Sequence, residues 1–113
     1  MKINKEMALK LWQERYGYNQ FAEDFHGNLM CRDGYGDPDY HTRYYGETVY
    51  CGWNIHHILP LKRGGNNCKE NLICTNIATN EAAADRITYW IDGCLYQVKK
   101  ASDKPSYMIV RLV

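Results

Sequence analysis

Between Trp53 and Arg86 the chain sets out, in order, a short apolar run, two adjacent histidines, a proline, a glycine loop, a second apolar run and an alanine-rich segment. That order constrains the fold more than any other feature of the sequence. Trp53-Asn54-Ile55-His56-His57 reads as a strand, Pro60 stops it because proline has no N–H to give a sheet, and Gly64-Gly65 opens the loop behind it. Asn71-Leu72 leads into the second strand. Asn76 to Arg86 reads as a helix capped by Thr75 or Asn76, rich in the strong formers Glu81-Ala82-Ala83-Ala84, with Arg86 suited to the C-terminal end of the dipole. A helix this close behind a two-stranded ribbon must fold back on it. Ile77, Asn80 and Ala84 then share a face at i, i+3 and i+7, which aims the Asn80 amide at the ribbon. A buried amide needs partners, and a metal ion or its waters are one kind.

The flanks read as support. Residues 4–15 form an amphipathic helix with Asn4 as N-cap and Met7, Ala8, Leu11 and Trp12 on its apolar face, ended by Tyr16-Gly17-Tyr18. Phe21-Ala22-Glu23-Asp24 and Leu29-Met30-Cys31-Arg32 pair as a short hairpin in which Gly27 supplies a positive φ, and 33–39 is turn or loop. Residues 37–49 are rich in Tyr without a clear period and either stack on bases or pack on the domain edge. His26 and His41 read as surface or turn histidines. Asp92-Gly93, between Ile87–Ile91 and Cys94–Val98, is the strongest hairpin signal, and after Ser102-Asp103-Lys104-Pro105 a third strand runs from Tyr107 to Val113. The expectation is one α+β domain over 1–113, with N-terminal helix and hairpin at 4–35, a core at about 50–86 and a C-terminal antiparallel meander at 87–113.

No apolar run approaches the roughly 20 residues of a membrane span, and Met1-Lys2-Ile3-Asn4 opens no signal-peptide pattern, so a cytoplasmic protein with no membrane partner is expected. Net charge is +1, but it is uneven: residues 1–50 hold 6 Lys and Arg against 8 Asp and Glu, residues 51–113 hold 8 against 5. The basic excess lies with the histidines and favours a local phosphate contact over a long binding stripe. Five cysteines without a C-x-x-C pair read as reduced, mostly buried thiols; a zinc module on Cys68, Cys74 and His56 is the competing reading.

Ile55-His56-His57-Ile58-Leu59-Pro60, Gly64-Gly65, Asn71-Leu72 and Asn80, with His57, Asn71 and Asn80 separated by 14 and 9 residues, resemble the HNH endonucleases and their ββα-metal motif. Trp12, Asp24, Gly27, Gly52-Trp53 and Asp92-Gly93 look like small phage or mobile-element members. The resemblance implies a ββα-metal core, a bacterial host cell and DNA, most simply duplex, as the substrate. It makes His57 the general base and His56 and Asn80 the ligands of one divalent cation, Mg²⁺ or Mn²⁺. Asn71 bonds across the loop as structural support, and products carry 5′-phosphate and 3′-hydroxyl ends. Lys62, Arg63 and Arg86 flank the site as nucleic-acid contacts. Many relatives have Asp where His56 stands, which admits Ni²⁺ or Zn²⁺, and the toxin-like branch has a histidine at the place of Ala84. Strand alternation would send His56 and His57 to opposite faces; in the family the strand breaks up at this point. The alternative buries His57 beside Trp53 and Ile55 and leaves His56 solvated. An HNH scaffold without cleavage, binding nucleic acid or inhibiting a nuclease, is the rival function.

Overall fold

The computed structural model describes residues 3–102 and 104–113; Met1, Lys2 and Asp103, the last in the turn expected before the final strand, lie outside them. Helix α1 (Lys5–Tyr16) starts where the Asn4 side chain accepts from the Met7 N–H at 2.9 Å, and it ends at Gly17, whose φ of 61° turns the chain away. Ala8 and Trp12 are its buried residues. They pack with Met30, Trp53 and Cys74 in a first core cluster, the Trp12 and Trp53 rings 4.8 Å apart. Burying side chains of this size stabilises by about 1.5–3 kcal/mol each, so α1 is held chiefly by packing.

Strands β1 (Phe21–Glu23) and β2 (Leu29–Cys31) form the expected hairpin, each one residue shorter at its C-terminal end. The carboxylate of Asp24 closes its turn, accepting from the His26 and Asn28 N–H groups, and its second oxygen accepts from the Asn76 N–H at 2.9 Å. One buried acid thus ties the first hairpin to the ribbon. The aperiodic 37–49 stretch holds a hairpin absent from the sequence reading, β3 (His41–Tyr44) and β4 (Glu47–Tyr50). Its two-residue turn places Tyr45 at φ 50° and Gly46 at φ 82°. Such turns usually carry Asn or Asp first, so a tyrosine there conceals the signal.

Strands β5 (Trp53–His57) and β6 (Leu72–Asn76) pair antiparallel, from Trp53 opposite Asn76 to His57 opposite Leu72. Helix α2 (Ile77–Ala83) follows at once, capped by Asn76, whose side chain accepts from the Ala78 N–H. It stops three residues before the expected Arg86. Ala84 lies beyond it at φ 51°, ψ −134°, which turns the chain toward β7 (Thr88–Ile91) so that Ala83 can pack with Tyr89, Ile91 and Tyr96. The alanine run favours a longer helix; this second cluster overrides it. Strands β7, β8 (Cys94–Lys100) and β9 (Tyr107–Arg111) make a three-stranded antiparallel sheet in sequence order.

The chain is therefore an α+β fold with an N-terminal helix and a C-terminal three-stranded antiparallel sheet. The β5–β6 ribbon lies between α1 and α2. Among the described residues no helix is long and apolar enough to cross a membrane.

Candidate functional site

Alternation along β5 gives Trp53 and Ile55 to the α1 side and leaves Asn54 and His56 facing α2. On α2, Asn80 is placed to meet both. Its Nδ2 donates to Asn54 Oδ1 at 2.7 Å, and its Oδ1 lies 2.6 Å from His56 Nδ1. An amide oxygen only accepts, so His56 donates from Nδ1. The ring is 3% exposed, and that burial pushes the imidazole below its usual range, the neighbouring His57 adding to the effect and the Asn80 bond opposing it. His56 is consequently neutral at pH 7.

His57 ends the strand half-buried, with Nε2 2.7 Å from Asn67 Oδ1. By the same rule its Nε2 carries the proton and Nδ1 the lone pair. The strand does not break up here: both histidines keep regular pairing, opposite Ile73 and Leu72. His56, Asn80 and His57 nevertheless line one open cavity of about 210 Å³ together with Lys62 and Asp85. The alternative in which His57 is buried and His56 solvated is overturned, because α2 covers the His56 face and His57 stands at the mouth of the loop.

Asn71 sits in a 3₁₀ turn, Lys69–Asn71, one residue ahead of β6. Its buried side chain spans the loop: Oδ1 accepts from the Leu59 N–H at 2.8 Å, and Nδ2 donates to the carbonyls of Leu59 and Asn66 at 3.0 and 2.9 Å. Gly65 lets the loop close this tightly, since a Cβ there would collide with the Leu59 carbonyl.

The basic residues divide. Lys62 lines the cavity, and its Nζ is 3.4 Å from an Asp85 carboxylate oxygen, an exposed pair that holds the Asp85 carboxyl below its usual range. Arg63 is exposed beside it and donates from Nε to the Asp85 carbonyl at 3.3 Å. Arg86 is exposed beyond α2, outside the cavity lining, because the helix ends early. Asp85, Asn67 and Asn54 also belong to the site, although the sequence does not mark them as site residues. In the sequence Asp85 reads as part of the helix, and Asn66-Asn67 behind two glycines reads only as turn chemistry.

The donors that face one another are thus His56 Nδ1 and Asn80 Oδ1, two neutral groups. They fit a cation if the proton between them moves to His56 Nε2, which leaves both lone pairs convergent. Among the described residues no group of three or more His, Cys, Asp or Glu could hold a metal. The zinc module on Cys68, Cys74 and His56 is not assembled: Cys68 is exposed, while Cys74 is buried against Trp12 and Trp53 with its thiol pushed up to about 12 by burial. A larger cavity, about 400 Å³ between Gly64-Gly65 and Lys104–Tyr107, takes in neither His56 nor His57. His26 is a turn residue, but its ring is tucked in, bonded through Nδ1 to the Tyr96 hydroxyl at 2.7 Å and through Nε2 to Asp92 at 3.0 Å.

No family model, curated protein or solved structure matches the chain.

Proposed function

We propose that this chain is a metal-dependent endonuclease of the HNH type, built on a ββα-metal core, that hydrolyses phosphodiester bonds in duplex DNA. One juxtaposition supports the reading: His57, with its Nδ1 lone pair available, lines the same cavity as the facing donors His56 and Asn80. In this reading His57 takes a proton from the water that attacks phosphorus. The P–O3′ bond breaks, the 3′ oxygen gains a proton from solvent, and the ends are 5′-phosphate and 3′-hydroxyl. His56 and Asn80 would hold one divalent cation, Mg²⁺ or Mn²⁺, with Ni²⁺ or Zn²⁺ suited to the imidazole donor. Such an ion offsets the charge that develops on the phosphate and on the leaving oxygen. Lys62 is the cation best placed for the scissile phosphate, with Arg63 and Arg86 further out along the backbone.

One observation favours a second reading. The two donors satisfy each other at 2.6 Å, and neither is a carboxylate, so a scaffold that binds nucleic acid or inhibits a nuclease without cutting fits the same residues. Plasmid nicking with Mg²⁺, Mn²⁺ and Ni²⁺ in parallel separates the two. Metal-dependent nicking that His57→Ala abolishes, with folding and DNA binding retained, supports the nuclease. DNA binding without cleavage in any metal removes it. His56→Ala and Asn80→Ala should shift the metal titration as well as the rate, and unchanged titration curves would take them out of the metal shell.

A further inference from the structure

Two adjacent histidines are held in opposite tautomers by two asparagines. Asn80 Oδ1 requires a proton on Nδ1 of His56, and Asn67 Oδ1 requires one on Nε2 of His57. The first bond closes a ring nitrogen off. The second engages the ring nitrogen distal to the backbone and leaves the proximal one, Nδ1, as the only site on His57 that can accept a proton. We propose that Asn67 is a positioning residue that fixes the tautomer and ring direction of His57, and this rests on the nuclease reading in which His57 is the base.

The loop is built to keep Asn67 in place. The Asn66 carbonyl accepts from Asn71 Nδ2 at 2.9 Å, and the Asn66 side chain accepts from the Cys68 N–H at 3.0 Å, so the residue on each side of Asn67 is anchored. Asn71 in turn grips Leu59, two residues beyond His57. The buried Asn71 is therefore linked to His57 Nε2 by a hydrogen bond to the Asn66 carbonyl, the Asn66–Asn67 peptide and the Asn67 side chain. An amide suits this task better than a carboxylate would beside a neutral base, since it accepts the Nε2 proton without adding charge to the cavity. The Asn66-Asn67 pair also has conformational reason to sit in a glycine loop, but turn propensity alone does not direct an amide oxygen at an imidazole.

The test uses the full chain. In the metal-free protein, long-range ¹H–¹⁵N correlation of the imidazole rings at alkaline pH should show His56 protonated on Nδ1 and His57 on Nε2. In Asn67→Ala, His57 should become a mixture of tautomers while His56 is unchanged. The cleavage kcat should fall on the order of ten- to a hundredfold, with KM within about twofold. Asn67→Asp keeps an acceptor oxygen, so it should retain the Nε2–H tautomer and recover most of kcat. A wild-type His57 protonated on Nδ1, an unchanged tautomer in Asn67→Ala, or equal losses in the Ala and Asp variants would each overturn the assignment. A wild-type chain that cuts nothing, with the His57 tautomer still answering to Asn67, overturns the base role and with it the nuclease reading, and leaves the hydrogen bond itself established.

Discussion

Asn71 offers the sharpest test of how the loop holds the site. Asn71→Ala removes three side-chain hydrogen bonds at 2.8, 3.0 and 2.9 Å, two of them to the backbone of Leu59 and one to the Asn66 carbonyl. At about 1 kcal/mol net for each, the loss is about 3 kcal/mol. A chain of this length has a total stability of about 6–17 kcal/mol, so the variant should fold, with Tm lower by about 10 °C. In urea the midpoint should fall by about 1–2 M at constant slope. Asn71→Asp is the more discriminating change. Its carboxylate can still accept from the Leu59 N–H, but it turns an acceptor toward the two carbonyls that Nδ2 now serves. It should therefore be no more stable than the alanine variant at pH 7 and should recover as the carboxyl is protonated. A loss below about 1 kcal/mol in Asn71→Ala, or an Asp variant as stable as the wild type at neutral pH, would refute the view that these bonds close the loop.

Three further outcomes follow from the same geometry. Ala84→Gly should stabilise the chain by about 1 kcal/mol in chemical denaturation, because φ 51°, ψ −134° strains a residue with a Cβ by more than glycine's extra freedom costs in the unfolded state; a loss of stability would contradict the strain. His56, lowered by burial, binds its proton more weakly folded than unfolded, so metal-free stability should be full above about pH 6.5 and fall as the pH drops below it. His56→Gln should flatten that slope, and an equal slope in both proteins would argue against a buried neutral ring. A thiol reagent should label Cys68 first, since it is exposed while burial holds Cys51 at about 11 and Cys74 at about 12; fast labelling that survives Cys68→Ser would contradict the packing.

Elements that rest on local chemistry were legible in the chain. Asn4 caps α1, Gly27 and Asp92-Gly93 turn their hairpins, and the 53–86 stretch yields strand, loop, strand and helix in that order, because caps and turns are decided by residues a few positions apart. The β3–β4 hairpin was not, since Tyr45 occupies a turn position that sequence rules assign to other residues. Nor was the end of α2: its alanines favour helix, and only the packing of Ala83 against Tyr89, Ile91 and Tyr96 ends it early, which takes Arg86 away from the cavity and brings Asp85 in.

The site divides in the same way. The sequence by itself determined which residue types stand near the ribbon's end and that Asn80 faces it, because strand and helix periods govern side-chain direction. Only the tertiary structure decided that His56 is the buried histidine and His57 the accessible one, because that depends on which ribbon face α2 covers. It also decided the tautomers. Those follow from Asn80 and Asn67, which reach the two rings across 24 and 10 residues, and no local pattern encodes a hydrogen bond made across the fold.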